Sequence, residues 1–403
     1  MSRLPARLQP AWPLLKRVHR ALSLLLGLLY RRTAPLTPRR RRLPVRATAT
    51  SADTAAREPG AVTLHPGGPA ERLRREPPEG DPPGHWRFAH ELTFDVPARY
   101  VLEVRGGSVV GEHAAVVTPG GTLDFQTSNY FGIAGWREHP VFLHPRLPRE
   151  QHVDGTLLNL TTRGSTANYY HVLLDVLPRY GVFREALPDA TVDAVAVPHG
   201  TGYQRQLLAM VGLGDGTTLV QPAADLTLTA DRLLVPSTPN DALSAPRWVV
   251  RWLREHLPAS GVPTGRPRLY VTRGDRPHTR RYVEEEQLWP ELESRGFLRL
   301  DPGQHSVQEQ VDLFSGAEVV VAPHGAALAN LVFLPPKARV LELFAPTYVN
   351  HCYWTITQAL DDVEHHYLVG AGRVPREGAE MTGVLTDVRL DPTKVLAYVD
   401  RLL

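Results

Sequence analysis

The chain has one cysteine, Cys352, in 403 residues. A single thiol excludes an internal disulfide and any cysteine-based zinc site, and fits a reducing compartment. Walker-type phosphate loops are missing, since no G-x-x-x-x-G-K-[ST] occurs anywhere. The nearest approach to a dinucleotide loop is Gly212-Leu213-Gly214-Asp215-Gly216. It has the wrong spacing and no clear strand before it, so it reads as a plain loop. Long apolar runs are missing too. The run at 21–30 spans about ten residues, where a membrane-crossing helix needs about 20. Acidic residues are absent from positions 1–50, which hold 12 Lys and Arg.

That last absence explains the charge balance. Setting those 12 aside leaves 33 basic against 42 acidic residues, a net of −9. The high pI therefore belongs to the N-terminal segment, and the folded part shows no sign of nucleic-acid binding. Lys16-Arg17 and Arg31-Arg32 flank the apolar run. The arginines at 39–42 lie between it and any small-residue cleavage site, a poor layout for a signal peptide. The segment reads as lying on an anionic membrane surface, at the inner face of the membrane of a cytoplasmic protein. A disordered start is the plain alternative. Residues 47–84 are rich in Pro, Gly, Ala and charge, so 1–84 is expected to be a basic, flexible, Pro-rich tail.

What is present is organised around 318–344, EVVVAPHGAALANLVFLPPKARVLELF. A β-branched run predicts a strand buried on both faces. Pro323-His324-Gly325 breaks it, with Gly325 allowing a tight turn or a close backbone approach. A helix is expected from Ala326, then a second buried strand at 339–344. A polar turn at the carboxyl end of a parallel strand is where open α/β sheets bind ligands, and a helix N-terminus there suits phosphate. Taken alone, His324 is equally a turn histidine bonded to backbone.

A second stretch, 168–179, carries Tyr170, Leu173, Leu174 and Leu177 at helical spacing. Asn168 is an N-cap candidate. His171 and Asp175 are four apart and share one face. They make either an oriented acid/base pair or a surface pair that only stabilises the helix.

Between and around these, short β-type runs at 100–104, 108–110 and 114–118 predict a β-rich entry to a first domain, 85–240. The polar run 236–246 is the expected boundary. Strands and helices then alternate through a second domain, 241–390, with a terminal helix in 391–403. Such alternation predicts a parallel, doubly wound sheet. Right-handed crossovers would bring the loop after Thr272 and the turn at Pro323 to one sheet edge. That loop holds Arg273, Arg276, His278, Arg280 and Arg281. Arginine forks suit a diphosphate. The alternative is a solvated face paired with the glutamates at 284–286. Arg280 and Arg281 are adjacent, so at most one is expected to face a ligand.

The ordered set Asn168-Tyr-Tyr-His171-x3-Asp175-x-Leu-Pro178, Tyr270-Val-Thr-Arg273, Pro323-His324-Gly325-Ala326-Ala327-Leu328-Ala329-Asn330 and Val340-Leu-Glu342-Leu343 resembles the family 61 glycosyltransferases, in a bacterial-type member. The resemblance covers about 90–400. It implies two Rossmann-like domains facing each other, the GT-B arrangement, and an inverting transferase. It implies a nucleotide-sugar donor, UDP-linked, on the C-terminal domain and a glycan or glycoconjugate acceptor on the other, as in surface or capsular polysaccharide synthesis. Arg273 and the His324-Gly325 turn would hold the diphosphate, with Asn330 fixing the following turn or the donor. Glu342 would accept from a ribose or sugar hydroxyl, unless it is a buried carboxylate bonded to backbone. His171 or Asp175 would be the base, and His171 alternatively touches the donor.

Two positions depart from the family pattern. Val172 stands where Trp is common, and Glu284 where Asn is common. They leave room for a non-catalytic relative that binds a nucleotide-sugar or glycan as a scaffold. No Asp-x-Asp, the metal–diphosphate clamp of the other main glycosyltransferase fold, occurs. No metal or cofactor is expected to be required, with arginine and helix dipole meeting the leaving-group charge.

Overall fold

Parallel strands need helical crossovers, and the chain supplies them in regular alternation from residue 247 onward. In the computed structural model, which describes residues 12–38, 41–166, 168–214, 216–240, 242–274, 279–379 and 383–403, this half is a six-stranded sheet. Its order is Leu298–Leu300, Arg268–Val271, Val319–Pro323, Arg339–Phe344, Glu364–Val369 and Glu79–Asp81. Every pair is parallel. From Arg268–Val271 the chain crosses first to Leu298–Leu300 on one side, then returns to Val319–Pro323 on the other. The loops leaving those two carboxyl ends therefore diverge and open a crevice. Arg276 and His278 of the first loop, and the first eleven residues of the chain, lie outside the described residues.

The other sheet is mixed. Leu226–Pro236, Arg149–Asn159, Ala194–Ala196 and Thr218–Val220 pair in parallel in that order. Tyr100–Arg105 and Ser108–Val110 both run antiparallel to Leu226–Pro236, with Val62–Pro66, Ala115–Val117, Thr122–Asp124 and Arg46–Thr48 beyond them. The expected β-rich entry is thus the antiparallel wing of a parallel half.

The expected tail at 1–84 is corrected from 46 onward. Arg46–Thr48 and Val62–Pro66 belong to the first sheet, and Glu79–Asp81 closes the edge of the second. Glu-Gly-Asp has no apolar signal to read. It is held by backbone pairing, and Gly80 lets the strand lie on the Tyr367 ring, where a Cβ would sit 2.4 Å from the ring carbons. Upstream, Trp12–Thr33 is a 22-residue helix, twice the length of the apolar run inside it.

The two sheets share one apolar core. Val101, Leu158 and Leu174 from the first half pack in the same cluster as Leu269, Val320 and Leu331 from the second. Helices Leu177–Ala186, Arg247–His256 and Val307–Ser315 contribute to this layer. Ser306 and Glu309 form a capping box at the start of Val307–Ser315. Pro392–Leu402 covers the far face of the second sheet through Val395, Val399 and Leu402.

Candidate active site

Proline shapes the first half of the site. Asn168 Oδ1 accepts from the Tyr170 N–H at 3.0 Å and caps the helix that starts there. Four residues after Leu174 comes Pro178, which has no N–H to return to that carbonyl and whose ring crowds it. The helix widens to a π turn over Val172–Val176, with the Leu177 N–H reaching back to the Val172 carbonyl. Such turns recur at functional sites. Leu177–Ala186 then continues as an ordinary helix.

Within this turn His171 Nδ1 and Asp175 Oδ2 are 2.7 Å apart, both side chains nearly buried. The other carboxylate oxygen accepts from Asn240 Nδ2 at 3.0 Å. Asn240 also donates to the Tyr170 hydroxyl at 2.9 Å. Both Asp175 oxygens are therefore committed. His171 Nε2 has no hydrogen-bond partner among the described residues. Gly164 lies against this ring at φ +75°, and a Cβ there would stand 2.7 Å from His171 Cδ2 and 3.0 Å from the Phe131 ring. The Phe131 ring is 5.1 Å from that of His171, is 39% exposed, and lies under the Arg163 guanidinium at 4.5 Å.

Two arginines build the facing side. Arg273 follows the Arg268–Val271 strand, and its Nε donates to the Thr279 carbonyl at 2.5 Å. Its Nη1 lies on Gly325, only 1.7 Å from where a Cβ would be. Gly325 is extended, at φ −173°. It is needed for room, not for a special backbone angle. Arg280 is in the left-handed region at φ +64°, rare for its type. This turns its side chain inward, where Nε donates to the His324 carbonyl at 3.1 Å and Nη1 to that of Val384 at 2.6 Å. Burial and the nearby Arg280 push the Arg273 guanidinium down to about 10. Arg281 points instead to Asp387, at 3.7 Å, so only one of the adjacent pair faces the crevice.

The departure at 284 and the backbone after Gly325 have structural accounts. Glu284 turns away from the crevice, accepting from the Leu390 N–H at 3.3 Å, with Arg389 at 3.5 Å. Its neighbour Glu285 is buried and accepts from the Tyr270 hydroxyl, the Thr272 hydroxyl and Arg299. That clamps the strand end from which Arg273 departs. After Gly325, Ala326–Phe333 winds in tight 3₁₀-type turns in place of the expected α-helix. An aligned helix dipole is replaced by the two guanidinium groups as the source of positive charge.

Two expected ligand contacts are corrected. Glu342 is fully buried, with Oε1 2.5 Å from His324 Nδ1 and Oε2 3.1 Å from His365 Nε2. It orients the histidine and has no open oxygen for a sugar. Burial pushes this carboxyl up and both imidazoles down, His365 to about 3. Asn330 is also fully buried. Its Oδ1 accepts from the Tyr169 hydroxyl at 2.7 Å and its Nδ2 donates to Gln310 Oε1 at 2.9 Å. It bolts the start of the 168–186 helix to the second half.

The two sides are joined by packed rings. His171 contacts Tyr170 at 5.3 Å, Tyr170 contacts Tyr353 at 5.7 Å, and Tyr353 contacts His324 at 4.8 Å. An imidazole backed by a carboxylate is thus connected, through two packed tyrosines, to the switch-point turn that carries the two guanidinium groups. Asn240, Phe131, Gly164 and Arg163 carry no sequence signal that marks them, since each reaches the site by tertiary contact. Among the described residues no group of three or more His, Cys, Asp or Glu is arranged to hold a metal ion.

Residues 169–341 match the family model described as Glycosyltransferase 61. No curated protein matches the chain. Among solved structures, "E. coli heptosyltransferase WaaC with ADP" is similar over 62% of this chain and 100% of its own, at 11% identity and a TM-score of 0.29.

Proposed function

From the match of residues 169–341 to the Glycosyltransferase 61 model, we propose that the protein is a family 61 glycosyltransferase, an inverting enzyme with two facing Rossmann-like halves. The donor is a nucleotide-sugar, UDP-linked, and the acceptor a hydroxyl of a surface or capsular glycan. The observation that carries this reading is the commitment of both Asp175 oxygens, to His171 Nδ1 and Asn240 Nδ2. A carboxylate so engaged orients an imidazole, and the imidazole is the base.

The acceptor hydroxyl attacks the anomeric carbon from the His171 side. Its proton passes to His171 Nε2, while Asp175 holds the Nδ1–H. The new carbon–oxygen bond forms as the bond from the anomeric carbon to the diphosphate breaks. The diphosphate leaves with the electron pair toward Arg273, Arg280 and the His324-Gly325 turn. Fixed positive charge aimed at a leaving group is worth more in a water-poor cleft than in solvent. Glu284 faces away from this region, which removes one motive for the scaffold reading.

The full chain should release nucleoside diphosphate from one member of a panel of nucleotide-sugars. His171→Ala should slow release by about 10²–10⁴-fold, and Arg273→Ala should weaken binding of the free diphosphate. Diphosphate binding without turnover of any donor, unchanged in Arg273→Ala, would overturn the assignment.

A further inference from the structure

Seven of the fifteen exposed large hydrophobic side chains among the described residues lie on one helix, Trp12–Thr33. Leu15, Val18, Leu22, Leu25, Leu26 and Leu29 repeat at three and four residues and draw a single outward stripe. Leu22 and Leu25 are 54% and 61% exposed. The stripe is about 20 Å long at the helical rise.

The opposite side is fixed to the body. Gly27 packs on Phe142, where a Cβ would meet Phe142 Cβ at 3.3 Å. Arg31 lies over the Trp136 and Phe142 rings at 5.2 and 4.9 Å. Arg20 Nη2 is 2.6 Å from Glu138 Oε1. The helix therefore turns glycine and arginine inward and leucine outward, the reverse of a core-facing helix.

We infer that this stripe docks in the interface of an anionic lipid bilayer. Charge selects that occupant over a second copy of the chain. Residues 1–50 carry 12 basic residues and no acidic one, so two such faces repel, whereas acidic headgroups attract each basic side chain. No described helix is long and apolar enough to cross a membrane. An amphipathic helix of this kind lies in the plane of the interface. The docking also orients the site. Phe131, beside His171, is five residues from Trp136 under the helix, a chain reach of at most about 18 Å. The side of the cleft holding the proposed base therefore lies near the docked surface.

The test is co-sedimentation of the full chain with phosphatidylglycerol–phosphatidylcholine vesicles and with phosphatidylcholine alone. Binding should be at least about ten-fold stronger to the anionic vesicles and should weaken with salt. Leu22→Ser/Leu25→Ser/Leu29→Ser should lose about ten-fold or more of that binding with an unchanged melting temperature, because the three side chains are exposed. The single native cysteine is buried, so a polarity-sensitive dye on Leu25→Cys should shift with anionic vesicles and one on Val262→Cys should not. Undiminished binding by the triple variant overturns the inference. So does a lipid-free dimer that the triple variant dissolves. Vesicle binding is read without sugar transfer, so its failure leaves the transferase reading standing.

Discussion

Single atoms decide the chemistry at the residue scale. Asp175→Asn keeps the size of the side chain but presents an N–H₂ where His171 Nδ1 now finds an oxygen. The imidazole would then carry its proton on Nε2 and lose its lone pair toward the acceptor. We expect kcat to fall by about 10²-fold or more with little change in KM for the donor, read from steady-state kinetics. An equal loss in KM would point to a binding role for the pair instead. Gly325→Ala tests the other side. The added methyl meets the end of a flexible side chain, Arg273 Nη1, so Arg273 should be displaced with the fold intact. Loss of one charge-assisted contact corresponds to about 10–100-fold weaker diphosphate binding, measurable by calorimetry beside a melting curve that moves little.

Elements explain what could be read from the sequence and what could not. Buried parallel strands are short β-branched runs, so Val319–Pro323 and Arg339–Phe344 were legible, as was the helix bearing His171 and Asp175 by its spacing. Arg149–Asn159 was not, because its first four residues are exposed and polar and only its last three are fully buried. Asn240 lies 65 residues from its partner Asp175 in what reads as a polar linker. Arg179 was equally silent. It is fully buried at the inner end of the 168–186 helix, with its guanidinium donating to the carbonyls of Thr161 and Pro236 at 2.5–2.9 Å. Those carbonyls follow or end two parallel strands, so Arg179 pins the helix to the carboxyl edge of the first sheet. Burial brings it down to about 10, against the opposing pull of Tyr100 and Asp175. Arg179→Met keeps the stem but orphans both carbonyls. A loss of about 2–4 kcal/mol is expected from the denaturation midpoint. A loss under about 0.5 kcal/mol would mean that water replaces the guanidinium.

Across the whole molecule, buried imidazoles set the response to acid. His139, His351 and His365 are pushed down to about 3, 4 and 3, each chiefly by burial. In the unfolded chain each titrates near 6.5. Below that value the unfolded state binds more protons than the fold, so stability falls as pH falls and keeps falling until the folded values are reached. Well below 6.5 each histidine costs about 1.4 kcal/mol per pH unit at most. Glu342 works with the opposite sign. Its folded value is raised, so its contribution is lost as pH rises above the unfolded carboxyl range. His85, His113 and His324 are lowered by burial as well, so the imidazoles outweigh this carboxyl and the melting temperature should drop steeply between pH 6.5 and 4. His139 allows a clean test, because its Nδ1 accepts from the Val141 N–H at 3.2 Å as a helix cap. Asparagine serves the same cap without titrating. His139→Asn should therefore make the acid slope shallower by one histidine's share, with the cap kept at pH 7.5. An unchanged slope in that variant would mean the acid limb arises from groups other than His139.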